Sequence, residues 1–355
     1  MRIPKLQIGG ITADIPIVQG GMGVKVSLSS LAAAVAEEGG IGTISSIGLG
    51  DVEASKLEYE RISREALEAE IRKAKRLTQG LLAVNFMGAL SNVDDLIKTA
   101  VREGIKIIVY GAGLPMKLPN LVRDPSVNLV PIVSSARVTE LILHGWNKRF
   151  GRTADAVILE GPLAGGHLGF SREQLDQPEK YSLEILLPGI LETVKRFEDR
   201  YGHKIPVIAG GGIFDGRDIA RILSLGASGV QMATRFVCTR ECDVSQEFKQ
   251  SYLDAKKEDI IIIKSPVGMP GRAIRNKFLR NLEGGEKMKI VCAYRCLSAC
   301  KASEAKYCIA LALTNAHRGD LDHGLIFCGQ NAYRIDKIVT VKELIAELLA
   351  ELNAA

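Results

Sequence analysis

The residues best placed to do chemistry lie in glycine-rich segments that follow short apolar runs. In Glu160-Gly161-Pro162-Leu163-Ala164-Gly165-Gly166-His167-Leu168-Gly169 a histidine stands among glycines, so nothing crowds its imidazole. A titratable ring in that setting suits a general base or a hydrogen-bond donor to an oxyanion. A lone histidine is more often structural; the position of His167 in a glycine loop beyond an apolar run reverses that preference. His144, His203, His317 and His323 have no such setting and read as surface or structural residues.

A second group suggests a phosphate. Ala209-Gly210-Gly211-Gly212 ends an apolar run, and Asp215 opens the helix that follows. Glycines let backbone N–H groups approach an anion closely, and a helix N-terminus adds positive potential. The next run ends in Gln231-Met232-Ala233-Thr234-Arg235, which offers more backbone donors and a hydroxyl. Paired loops of this kind form the recurrent phosphate site of α/β barrels. Read alone, the three glycines make only a tight turn; the neighbouring segment favours the phosphate. Near the start, Gln19-Gly20-Gly21-Met22-Gly23 would let a flat ring lie against the backbone with the soft Met22 side chain packed on it, or is simply a turn beside a core methionine. Asn85, Ser134 and Glu160 each sit at or near the end of an apolar run, where a polar residue is more often a ligand contact than a core group.

The seven cysteines are unevenly placed: none precedes Cys238, and Cys292, Cys296, Cys300 and Cys308 crowd together. This is not a secreted disulfide framework. In a continuous helix, spacings of four, four and eight put the sulfurs on one face as a packing surface. Four thiolates could also hold a [4Fe–4S] cluster or a zinc ion, although the spacing matches no standard ligand motif.

The elements that position these residues follow from the hydrophobic pattern. Apolar runs at 15–21, 41–46, 81–87, 105–111, 128–134, 156–161, 206–212 and 229–236 alternate with segments of helical periodicity such as 29–38, 65–77, 92–103, 183–201 and 215–225. Several runs are apolar on consecutive residues, as buried parallel strands are. Eight βα units predict a closed (β/α)8 barrel, the TIM-barrel form of α/β fold, over a doubly wound open sheet, because glycine and polar residues gather at the strands' C-terminal ends. The expected domains are a barrel over 1–245, a Cys-containing cap over 246–330 with helix-like character at 302–317, and a C-terminal segment, 331–355, whose apolar stripe at 341–351 returns to the barrel.

Hydrophobic residues make up 46% of the 355, enough for a large aliphatic core. The net charge of +5 comes from 46 basic and 41 acidic residues spread along the chain, without the basic stripe of a nucleic-acid binder. The N-terminal residues lack the apolar core of a signal peptide, and no run is long enough to span a membrane, so a cytoplasmic location is expected.

In combination, Gln19 to Gly23, Val84-Asn85, Ala164 to His167, Ala209 to Gly212, Gln231 to Arg235 and Gly324 to Asn331 resemble the nitronate monooxygenase family, formerly called 2-nitropropane dioxygenases, and the related flavin-dependent enoyl-acyl carrier protein reductase. The resemblance spans nearly the whole chain. It implies FMN, with its phosphate at Gly210, Gly211, Gly212, Gln231, Met232, Ala233 and Thr234, its ring near Gln19, Gly20, Gly21, Met22 and Asn85, and further contacts from Ser134, Glu160 and Gly166. His167 would face the substrate. Ala233 stands where these families usually have glycine, which a negative φ would tolerate.

Nitronate monooxygenation with O2 is the first activity implied. NAD(P)H-dependent enoyl thioester reduction is the alternative, with Arg272, Arg275, Lys277 and Arg280 meeting an acidic carrier or a nucleotide phosphate. A flavin-binding sensor or scaffold is a third reading. A small-molecule substrate, a homodimer, and no nucleic-acid or membrane partner complete the expectations.

Overall fold

The computed structural model describes residues 3–50, 54–288, 290, 292, 295–298 and 300–355. A short antiparallel hairpin, β1 (Leu6–Ile8) and β2 (Ile11–Ala13), opens the chain. The parallel strands β3 (Ile17–Gln19), β4 (Ile41–Ser45), β5 (Leu81–Met87), β6 (Ile107–Gly111), β7 (Asn128–Val133) and β8 (Val157–Glu160) follow, then β9 (Gly166–His167), β10 (Val207–Gly210) and β11 (Gly229–Met232). An antiparallel hairpin, β12 (Ile260–Lys264) and β13 (Pro270–Ile274), comes last.

The eight strands β3 to β8, β10 and β11 close into a barrel. Closure is made where β11 pairs in parallel with β3, Val230 opposite Ile17 and Met232 opposite Gln19. The open-sheet alternative is thereby excluded. Inside, Val18, Ile41, Ala83, Ile107, Val130, Ile158 and Ile208 form a buried cluster, and Leu6, Ile8 and Ala13 of the first hairpin join it. Branched side chains filling layers are what a parallel barrel requires. Most barrel strands carry apolar residues on both faces, since the outer face packs under helices.

The helices Ser29–Glu37, Val93–Arg102, Leu183–Tyr201 and Gly216–Ser224 lie where periodicity predicts them. Another, Lys56–Leu77, begins earlier than the apolar stripe shows, because Ser55 and Glu58 form a capping box that starts it over a polar first turn. The expected helix at 302–317 is instead Ile309–Arg318. Tyr307 is buried edge-on against Phe278, with ring centroids 5.2 Å apart, and the chain enters the helix through an extended Cys308.

Beyond β11 the chain returns to the strand ends. Strand β13 pairs antiparallel with β9, placing Gly271 opposite His167 and Arg272 opposite Gly166. The final helix, Val341–Ala354, packs on Gly216–Ser224, with Leu344, Ile345 and Leu348 buried. None of the helices among the described residues is long and apolar enough to cross a membrane.

Candidate active site

Every strand of the barrel ends in a loop, and those ends enclose a cavity of about 500 Å³. Gly20, Gly21, Met22, Asn85, Ser134, Glu160, Gly166, His167, Gly210, Gly211, Gly212, Gln231, Met232, Ala233 and Thr234 all line it. Gln19 does not. Its Oε1 accepts from the Thr43 N–H at 2.9 Å and its Nε2 donates to the Gly20 carbonyl, so this fully buried amide ties β3 to β4.

The phosphate-type cradle has backbone walls. Gly211 and Gly212 take φ values of +107° and +85°, which disfavour a residue with a side chain. Asn331 Nδ2 donates to the Gly212 carbonyl at 2.7 Å, and the Gly329 N–H donates to Thr234 Oγ1 at 3.0 Å, so the two loops are held by the same later segment. Ala233 has φ −128°, the negative value that makes glycine unnecessary there. The helix after the cradle does not lend its N-terminus as expected. Its Gly216 N–H donates to the Glu351 carboxylate at 2.7 Å and its Asp218 N–H to Asp215 Oδ1 at 3.0 Å, so carboxylates of this chain already occupy that end.

His167 is half-buried on β9, its ring edge-on to Phe327 with centroids 5.0 Å apart. Its Nε2 lies 2.8 Å from Ser265 Oγ on the turn between β12 and β13. Burial lowers the imidazole pKa to about 4, so the ring is neutral at pH 7. Glu160, at the end of β8, has its pKa raised to about 7 by burial, against the opposing pull of the Gly169 N–H and the Arg272 charge. Asn85 packs on the first-strand glycines: a Cβ at Gly21 would come within 2.4 Å of Asn85 Cβ.

Ser265 and Arg272 were not singled out as site groups by sequence. Arg272 was expected in a basic stretch beside the site that meets an acidic carrier or a nucleotide phosphate, yet it is 2% exposed, donates to the Ala164 carbonyl and leaves Nε without a hydrogen-bond partner among the described residues. Its position in a strand starting at Pro270, register-locked to Gly166, turns it inward. The rest of the expected basic patch is also committed: Arg275 pairs with Glu283 at 2.7 Å and Lys277 with Asp322 at 2.6 Å, while Arg280 donates to the Arg275 carbonyl at 3.0 Å. Only a register between β13 and β9 separates these roles, and residue type does not encode it.

A family model described as nitronate monooxygenase matches residues 5–351. The chain belongs to the nitronate monooxygenase family. Its members and relatives are oxidoreductases. Among curated relatives, the (3aS,4S,5R,7aS)-5-hydroxy-7a-methyl-1-oxo-octahydro-1H-indene-4-carboxyl-CoA dehydrogenase of Rhodococcus jostii is 30% identical over 288 residues, covering 81% of this chain and 70% of that protein. A probable nitronate monooxygenase of Staphylococcus aureus is 26% identical over 307 residues, covering 77% of this chain and 78% of that one. Among solved structures, FabK from Thermotoga maritima superposes with a TM-score of 0.74 at 29% identity, covering 96% of this chain and 94% of that one.

The cysteine segment lies at the cavity rim, where Cys296 and Leu297 line the wall. Leu297 bridges to Leu90, the Ser91 N–H donates to the Cys296 carbonyl at 3.0 Å and the Ser298 N–H to the Ala89 carbonyl at 3.0 Å. No described residue between Glu283 and Ile309 is helical, so the single helical face of sulfurs is not formed. Among the described residues, Cys292, Cys300 and Cys308 form no disulfide. Among the described residues, no three His, Cys, Asp or Glu side chains converge to hold a metal ion, and the expected iron–sulfur or zinc ligation lacks that support.

Proposed function

We propose that the protein is an FMN-dependent oxidoreductase that exchanges hydride between a nicotinamide nucleotide and an apolar enoyl thioester. The observation that carries this reading is the cavity wall. Leu90, Leu114, Val138, Leu297, Ile309 and Leu313 line it, and no lysine or arginine does so among the described residues. A small nitronate anion would meet no lysine or arginine on this wall, whereas a neutral acyl chain gains about 25 cal/mol for each Å² of apolar surface it covers. Kinship with FabK and with a dehydrogenase whose name specifies a carboxyl-CoA substrate supports the same choice over oxygen-dependent nitronate oxidation.

The residues fit the cofactor. Backbone at Gly210 to Gly212 and Gln231 to Thr234 would hold its phosphate. Gly20, Gly21, Met22 and Asn85 would bracket its ring, with Ser134, Glu160 and Gly166 beside it. A Cβ at Gly166 would meet nothing within 4 Å, which leaves open space beside His167. When bound, FMN supplies reversible hydride chemistry. His167 meets the thioester oxygen, and the apolar wall excludes water from the reacting carbons.

Anaerobic stopped-flow mixing tests this reading. NADH or NADPH should bleach the bound flavin, and crotonyl-CoA should restore its colour. Bleaching by neither nucleotide, together with oxygen uptake on propionate 3-nitronate, would replace the reading with nitronate oxidation.

A further inference from the structure

We infer that Ser265 fixes the imidazole of His167 with its ring proton on Nδ1, so that His167 donates a hydrogen bond to a substrate oxygen and does not act as a base. Ser265 is then a positioning residue. The inference deepens the proposed function and rests on it for the identity of that oxygen; the tautomer itself can be read without turnover.

Ser265 is 2% exposed and its backbone is clamped. Its N–H donates to the Met269 carbonyl at 3.1 Å, and its carbonyl accepts from the Gly268 N–H at 2.9 Å. The hydroxyl is therefore delivered to a fixed point, 2.8 Å from His167 Nε2. Its oxygen also accepts from the Val267 N–H at 3.4 Å. A serine hydroxyl has a single proton to give, and leaving a buried donor unsatisfied costs about 1–3 kcal/mol. Among the described residues, His167 Nε2 is the acceptor within hydrogen-bond distance of that hydroxyl. If Nε2 carried the ring proton, Ser265 Oγ would receive two donors while its own proton had nowhere to go. The satisfied arrangement sends the serine proton to Nε2 and leaves the ring proton on Nδ1.

The ring itself is held. His167 lies in a strand paired to β13, and Phe327 abuts it edge-on. Nδ1 makes no hydrogen bond to a described residue and is not among the sealed, unsatisfied polar atoms, so it is left for a ligand in the cavity that His167 lines. A donor at that point suits a thioester carbonyl, whose oxygen gains negative charge as hydride reaches the β-carbon. Deprotonation of a nitroalkane needs a bare lone pair on the cavity side, which this tautomer does not present.

Two-bond ¹⁵N–¹H correlation spectra of the FMN-loaded enzyme labelled with ¹⁵N-histidine test the assignment, with His167 signals identified by their loss in His167→Asn. The expected result is an Nδ1–H tautomer in the native protein, retained in Ser265→Thr and replaced by Nε2–H or a mixture in Ser265→Ala. Ser265→Ala should also lower kcat with crotonyl-CoA by ~10-fold or more while flavin reduction by the nucleotide stays within about twofold, and Ser265→Thr should restore turnover. An Nε2–H tautomer in the native enzyme, or an unchanged tautomer in Ser265→Ala, overturns the inference. If Ser265→Ala does not fold, the native tautomer alone decides. Failure of the nucleotide and crotonyl-CoA assays with an Nδ1–H spectrum would count against the proposed function and leave the Ser265 assignment standing.

Discussion

Glu160 ends β8 in the cavity wall, with Arg272 near enough to lower its pKa and burial strong enough to raise it to about 7. In the unfolded chain the same carboxyl ionises near 4.5. Between those values the folded state keeps a proton that the unfolded state has lost, so the protein loses stability as pH rises through this window, and the loss is complete above pH 7. Glu160→Gln retains an acceptor for the Gly169 N–H and carries no charge to bury. It should therefore raise Tm by several degrees at pH 8, a gain of order 2–3 kcal/mol, and by little at pH 5; thermal melts of the FMN-loaded enzyme across that range check it. An equal gain at both pH values would show that the carboxyl is not the source. At this scale the sequence was informative wherever a residue's role depends on its neighbours in the chain: His167 among glycines and Gly210 to Gly212 are legible. Ser265 was not, because its partner lies 98 residues away and Ser-Pro reads as a turn.

The strands and helices of the barrel could be read because each buries its own face, with a period that the sequence carries. The elements that finish the site could not. Strand β9 is two residues long and exists only because β13 pairs with it. Its approach is tight: a Cβ at Gly165 would sit 2.6 Å from the Cys328 carbonyl carbon and 2.7 Å from the Gly329 nitrogen. Backbone on both sides cannot yield as a side-chain tip would. Gly165→Ala should push the His167 loop off the 328–329 segment, costing about 1–3 kcal/mol of stability and lowering kcat more than it raises KM. Denaturant titration together with steady-state kinetics reads both effects, and a variant with native stability and turnover would show that the contact is relaxed in solution.

The barrel as a whole is closed at one end and fitted out at the other. The first hairpin sends Leu6, fully buried, into the cluster of Val18, Ile158 and Ile208 inside the barrel. Leu6→Ala should cost about 2–5 kcal/mol in denaturant unfolding, yet leave FMN affinity within about twofold, because the hole lies at the end remote from the glycine loops. Coupled loss of affinity would mean that the two ends are not independent. The opposite end is completed from far along the chain: Asn331 holds Gly212, Gly329 holds Thr234, and Glu351 takes the Gly216 N–H. During synthesis, all eight barrel strands leave the ribosome before any of these fasteners is made. The proposed FMN would therefore load late in biogenesis, and a chain that stops short of residue 329 lacks the groups that hold Thr234 and Gly212.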